Sequence, residues 1–299
     1  MKSFRNLLYV AMTLFCVSIV LVGCGNNKSS HSDKIRIVTS TDIYGQAARA
    51  VAGSKAQVNS IINNPNVDPH DYQPTIKVAE NISNANVVIY NGLGYDSWIE
   101  PLTQNTKTHT KLLNVGVDLL NKKTGDNPHV WYFSKTMIKL TNEIAKTLSN
   151  KDPANKTYYF HNARKYINTF SPIQHKIKQL KSNKSKILVD VSEPVFDYSL
   201  KEMGYQVKDG GYSKAVENGT DPTPNEIRSV QLDIIHHKIA FFVENTQASD
   251  SIVDNLVQLA KKHKVPVVKV TETMPNNTTY QKWMLSQYQQ VERIQNERK

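Results

Sequence analysis

The sequence predicts an α/β fold: two (β/α)4 lobes, each with a parallel four-stranded sheet, joined by one long rigid helix. Three observations predict it. Short runs rich in Val and Ile alternate with segments of helical period, the signature of parallel sheets. The alternation fills residues 35–150 and resumes over residues 183–299. Between them, Tyr159, Ala163, Tyr166, Phe170, Ile173, Ile177 and Leu180 recur in steps of three and four, as on one face of a helix.

In the first lobe, strands are expected at Ile35–Thr39, Val58–Ile62, Val87–Tyr90 and Leu112–Val115. Helices are expected at Tyr44–Ala52, Ile76–Ser83, Ser97–Gln104 and Thr136–Leu148. The linking helix occupies Asp152–Lys181, within a linking segment 151–182. Asp152 suits an N-cap and Pro153 the first helical position. Pro172 removes a backbone donor and should kink it. In the second lobe, strands are expected at Ile187–Val191, Tyr205–Val207, Ile239–Val243 and Val265–Val270. Helices are expected at Val195–Met203, Asn225–His236, Ser251–Lys262 and Thr279–Ile294.

Residues 1–24 read as a targeting segment. Lys2 and Arg5 precede an apolar run, Leu7–Leu21, that is too short for a standard membrane span. It ends Leu21-Val22-Gly23-Cys24, which resembles a bacterial lipobox with Cys24 as the acylated new N-terminus. The polar stretch 25–34 reads as a flexible tether. The chain has two cysteines, Cys16 and Cys24. With Cys16 removed and Cys24 acylated, metal ligands in the mature domain must be His or carboxylate.

Composition narrows the options. With 39% hydrophobic and 21% charged residues the chain should be globular. Its formal net charge is +11, but no basic run is interleaved with aromatics, so no nucleic-acid partner is expected.

Ligands of open α/β sheets bind at the carboxyl ends of the strands. After the second expected strand comes Asp68-Pro69-His70-Asp71-Tyr72, and after the fourth Asn127-Pro128-His129. After the fifth comes Ser192-Glu193-Pro194, and after the eighth Thr271-Glu272-Thr273. Two imidazoles from one lobe and two carboxylates from the other could hold one cation. Zn2+ and Mn2+ both accept such a set. Asp71, Tyr72 and Asn127 are candidates to orient the imidazoles. The remaining histidines are read as ordinary exposed side chains.

Those stretches, with Asn91–Trp98 (NGLGYDSW), Ser192–Tyr198 (SEPVFDY), the lipobox and the central helix, resemble the zinc- and manganese-binding solute-binding lipoproteins of ABC importers, the TroA-like or cluster A-I family. The resemblance implies a metal buried between the lobes, held by His70, His129 and Glu193. It implies a fourth, acidic ligand from a later loop. Glu272 takes that place, where Asp is more usual, and Glu244 is the alternative. No His-rich insertion precedes His129. The implied protein is not an enzyme. It is a monomer, anchored through Cys24 on the extracellular face of the cell membrane, that captures Zn2+ or Mn2+ as transported ligand and passes it to an ABC permease.

Three other classes were weighed. A dinucleotide enzyme finds only a partial fingerprint, Gly92-Leu93-Gly94, after the third strand and not the first. A secreted zinc-dependent hydrolase could use the same ligands, but no HExxH or added general base accompanies them. A non-metal binding or adhesion role predicts no stoichiometric metal.

Overall fold

The computed structural model describes residues 34–182, 187–247 and 250–297. The expected leader, Cys24 and the tether up to residue 33 lie outside the described residues.

Strands β1 (Ile35–Thr41), β2 (Ala56–Ile62), β3 (Val87–Tyr90) and β4 (Lys111–Asn114) form a parallel sheet in the order β2-β1-β3-β4. All four residues of β3, Val-Val-Ile-Tyr, are buried. An uninterrupted apolar run is what a central parallel strand needs, because helices cover both faces. These helices are α1 (Asp42–Ala52), α2 (Ile76–Ser83), α3 (Ile99–Thr103) and α4 (Thr136–Lys151). In α1 the buried residues Tyr44, Ala47, Ala48 and Val51 follow the helical period and pack on the sheet.

The linking segment departs from expectation. The single helix expected over Asp152–Lys181 is two helices, α5 (Lys156–Asn168) and α6 (Ser171–Ser182), after a 3-10 turn at Pro153–Asn155. At the junction the N–H groups of Thr169 and Phe170 turn back on the carbonyls of Tyr166 and Ile167, a tighter pattern than the α-helical one. The reason is Pro172. Its ring crowds the carbonyl four residues back, so the first helix stops and Pro172 sits in the first turn of the next, where its missing N–H costs nothing.

The second sheet contains β5 (Leu188–Val191), β6 (Gln206–Val207), β7 (Phe242–Asn245) and β8 (Val267–Val270), in the order β6-β5-β7-β8 and again parallel. Its helices are α7 (Asp197–Glu202), α8 (Gly210–Glu217), α9 (Pro224–Ile235), α10 (Ser251–Lys262) and α11 (Tyr280–Glu297). Thr223 and Glu226 form a reciprocal capping box at the start of α9. Two differences from expectation matter below. Helix α8 was not anticipated, and β7 begins three residues later than expected, so Glu244 lies within the strand. Among the described residues no helix is long and apolar enough to cross a membrane.

One apolar core runs through both lobes, from Ile37 and Val87 to Val189 and Val270. Helix α11 stitches them. Tyr280 donates its hydroxyl to the Trp131 carbonyl at 2.6 Å, and Trp283 donates to Thr271 Oγ1 at 2.8 Å. The buried Tyr132 hydroxyl meets both the Thr271 carbonyl at 2.5 Å and Gln287 Oε1 at 2.8 Å. Tyr132→Phe strands these acceptors away from water. It should cost about 1–3 kcal/mol, read as a lower urea midpoint at unchanged m. An unchanged midpoint would show that the lobes do not rely on this bond.

Candidate metal centre

The four predicted ligands lie on loops at or just beyond strand ends, and local hydrogen bonds aim them. Asp68 Oδ1 accepts the His70 backbone N–H at 2.8 Å, closing the turn that presents the ring. Trp98 Nε1 donates to the Pro69 carbonyl at 3.1 Å, and Tyr95 packs edge-on against the His70 ring at 4.9 Å.

His129 is held more tightly and is fully buried. Asn127 Oδ1 accepts its backbone N–H and also sits 2.9 Å from its ring Nδ1. A carbonyl-type oxygen there assigns the proton to Nδ1, which leaves the Nε2 lone pair facing the cleft. The backing extends to the core. Asn91 Nδ2 donates to the Pro128 carbonyl at 2.9 Å, and its Oδ1 takes the Tyr44 hydroxyl from α1.

Glu272 reaches in from the other lobe. Its Oε1 lies 3.8 Å from His70 Nε2 and 4.0 Å from His129 Nε2. Ligand atoms of His70, His129 and Glu272 all lie within 4.8 Å of one another. Both His129 Nε2 and Glu272 Oε1 are buried without a hydrogen-bond partner among the described residues. Buried polar atoms without partners are costly and uncommon. A cation at their common focus satisfies both, and the N and O donors suit a divalent transition metal.

Glu193 stands apart from this trio. It lines the same cleft, about 1580 Å³ and open to solvent, but its Oε2 accepts from Asn245 Nδ2 at 2.5 Å. Glu244 is elsewhere. It pairs in register with Lys269 of β8, and their charged atoms lie 3.7 Å apart. It is therefore set aside as the fourth ligand, because a strand residue paired across the sheet does not reach the strand ends. Of the residues expected to orient imidazoles, Asn127 does so. Asp71 lines the cleft and acts on His70 through its charge. Tyr72 instead stacks on Trp98, ring centroids 4.8 Å apart. Asp68 takes the role expected of Tyr72.

A further carboxylate arrives from the unanticipated helix. Glu217, the last residue of α8, puts Oε2 3.7 Å from His129 Nε2. The two glycines that open α8, Gly210 and Gly211, hid it from a propensity reading. The signal available was at the other end, where Asn218-Gly219 marks a helix stop.

Burial and crowding of like charge set the protonation states. Burial pushes the His129 imidazole down to about 3, helped by the nearby His70. His70 is also lowered, chiefly by burial, against the opposing pull of Asp68 and Asp71. Burial and the neighbouring carboxylates of Glu193, Glu217 and Asp68 push Glu272 up to about 8. Glu217 is likewise pushed up to about 8, by burial and by Glu193, Asp197 and Asp68. The imidazoles are neutral at physiological pH, ready to coordinate, while the buried acids hold protons that a cation displaces.

Known proteins resemble this chain throughout its folded part. The profile of the family described as zinc-uptake complex component A, periplasmic, matches residues 37–294. The manganese ABC transporter substrate-binding lipoprotein PsaA of Streptococcus pneumoniae is 29% identical over 254 residues, covering 79% of this chain and 81% of that one. The iron ABC transporter substrate-binding lipoprotein MtsA of Streptococcus pyogenes is 30% identical over 254 residues, 78% of this chain and 79% of that one. Among solved structures, the periplasmic zinc-binding protein TroA of Treponema pallidum superposes with a TM-score of 0.72 at 16% identity, over 88% of this chain and 99% of that one. A manganese-bound periplasmic metal-binding protein of Candidatus Liberibacter asiaticus gives 0.69 at 21% identity, over 87% and 100%. These two likenesses speak to the fold.

The raised acids make a stability prediction. A carboxyl near 8 in the fold and near 4.5 unfolded stabilises the fold below pH 4.5 and loses that contribution as pH rises to 8. His129, near 3 in the fold, acts only below its unfolded value of 6.5. Between pH 6.5 and 8 the carboxyls therefore dominate. Metal-free protein should lose stability on the order of 1 kcal/mol per group across that window. Glu272→Gln should flatten the decline, measured by urea titration with chelator present. Parallel declines in the two proteins would contradict the assignment.

Proposed function

We propose that this chain, which belongs to the zinc-uptake complex component A family, is the substrate-binding component of an ABC importer and captures a divalent transition metal, zinc or manganese. The observation that carries the reading is the convergence of His70, His129 and Glu272 on one point between the lobes. Glu193, matched to the family's third ligand by its SEP motif, completes the proposed set when it leaves Asn245. The relatives' names, manganese for one and iron for another, fit a site that takes several divalent ions.

The proposed sequence of events follows from the geometry. The ion enters the cleft and exchanges water for side-chain donors. His129 needs no reorientation, because Asn127 already fixes its tautomer and direction. Glu272 gives up its proton as the charge arrives. The loaded protein then docks on a membrane permease. Transport, and no catalytic step, is the role assigned, so the hydrolase reading has no support here. A lipid anchor at Cys24, a position on the outer face of the membrane and a monomeric state complete the proposal.

Metal-free protein should bind one equivalent of metal by calorimetry. His129→Ala should lose far more affinity than Asn127→Ala, for which removal of an outer partner predicts a roughly 10–100-fold loss. Affinity should rise with pH up to about 8, as the raised carboxyls lose their protons. Repeating the titration near pH 7 in buffers of different ionisation heat should show about one proton released per ion. Equal affinity in wild type and His129→Ala would reject the site. Separately, Cys24→Ala should move the protein from the membrane fraction to the soluble fraction. A variant retained on the membrane would reject the anchor.

A further inference from the structure

Helix α8 ends abruptly at Glu217, and the ending is well defined. The N–H of Gly219 bonds the Val216 carbonyl, and the N–H of Thr220 bonds the Ala215 carbonyl. With Gly219 at φ 63°, this is a Schellman stop, which fixes the last helical residue in place. That residue is a carboxylate with a side chain 13% exposed. It lies at the end of the helix where the backbone dipole is negative, which disfavours an anion. Glu193, Asp197 and Asp68 add their charge. Lys214 lines the cleft too, but among the described residues it forms no ion pair with Glu217. Its nearest charged or titratable neighbour across the cleft is His129, whose buried Nε2 has no partner. Helix geometry, burial and local charge all oppose an anion there, and a cation beside His129 offsets all three.

We propose that Glu217 is an additional ligand of the captured ion and biases the site toward manganese over zinc. The inference rests on the metal-capture reading of the same cleft. The selectivity follows from coordination number. Zinc in closed protein sites is satisfied by four ligands, which His70, His129, Glu272 and Glu193 already supply. Manganese accepts more ligands and prefers oxygen, so a fifth side chain ending in a carboxylate strengthens it more than zinc. Glu217 approaches His129 from the second lobe on an element distinct from the other ligand loops, so it can be changed without disturbing them.

The test is competition binding of Mn2+ and Zn2+ to full-length protein carrying Glu217→Gln. Manganese affinity should fall roughly tenfold or more and zinc affinity by a clearly smaller factor. Manganese affinity within about twofold of wild type, or an equal loss for both metals, overturns the inference. If the Gln variant fails to fold by circular dichroism, Glu217→Asp is read by the same criteria. His129→Ala is the control. If it keeps wild-type affinity for both ions, the metal-capture reading itself fails. If it loses both while Glu217→Gln changes neither, only the role of Glu217 fails.

Discussion

The buried Nε2 of His129 faces carboxylate oxygens at 3.7 and 4.0 Å with no proton donor to join them. Protonating the ring is opposed by burial, and ionising the acids is opposed both by burial and by each other. Removing two groups from water and leaving them unpaired is unfavourable unless a third partner completes the set. A divalent cation is that partner. It replaces protons on the acids and binds the imidazole lone pairs as they already point. The site stores local instability that loading relieves, and the extensive core elsewhere can sustain it.

The ligands converge because the lobes are fastened to each other around them. Asn127, which aims His129, donates across to the Pro194 carbonyl at 2.6 Å beside Glu193, and Tyr198 returns a bond to the Asn127 carbonyl at 2.9 Å. On the opposite side of the cleft, Gln247 and Thr273 both donate to the Pro65 carbonyl, at 2.5 and 2.8 Å. Pro65 lies on the loop that leads to His70, and Thr273 follows Glu272 directly. Each ligand loop of one lobe is thus tied to a ligand loop of the other. With a continuous core beneath, loading should proceed by adjustment of loops and side chains more than by wide opening of the lobes.

Much of this was legible in the residues. The eight strands appear close to where Val and Ile runs place them, because a doubly covered parallel strand must be apolar along its length. His70, His129 and Glu272 were found from strand ends alone. What escaped depended on contacts distant in sequence. Glu193 has the right motif, yet Asn245, 52 residues away, takes its carboxylate. Tyr72 could have served His70, but Trp98 offers a larger apolar face. Helix α8 opens with two glycines, so its local preference is weak and packing decides it, and Glu217 went unseen with it. The linking helix divides because one proline outweighs a regular apolar period.

The most direct test is anomalous diffraction from crystals grown with manganese, repeated with zinc. The account predicts a single ion between the lobes, with His70 Nε2, His129 Nε2 and a Glu272 oxygen each at about 2.0–2.3 Å. An ion bound away from His129, or a fully loaded protein with the His129 and Glu272 atoms still uncoordinated, would contradict it.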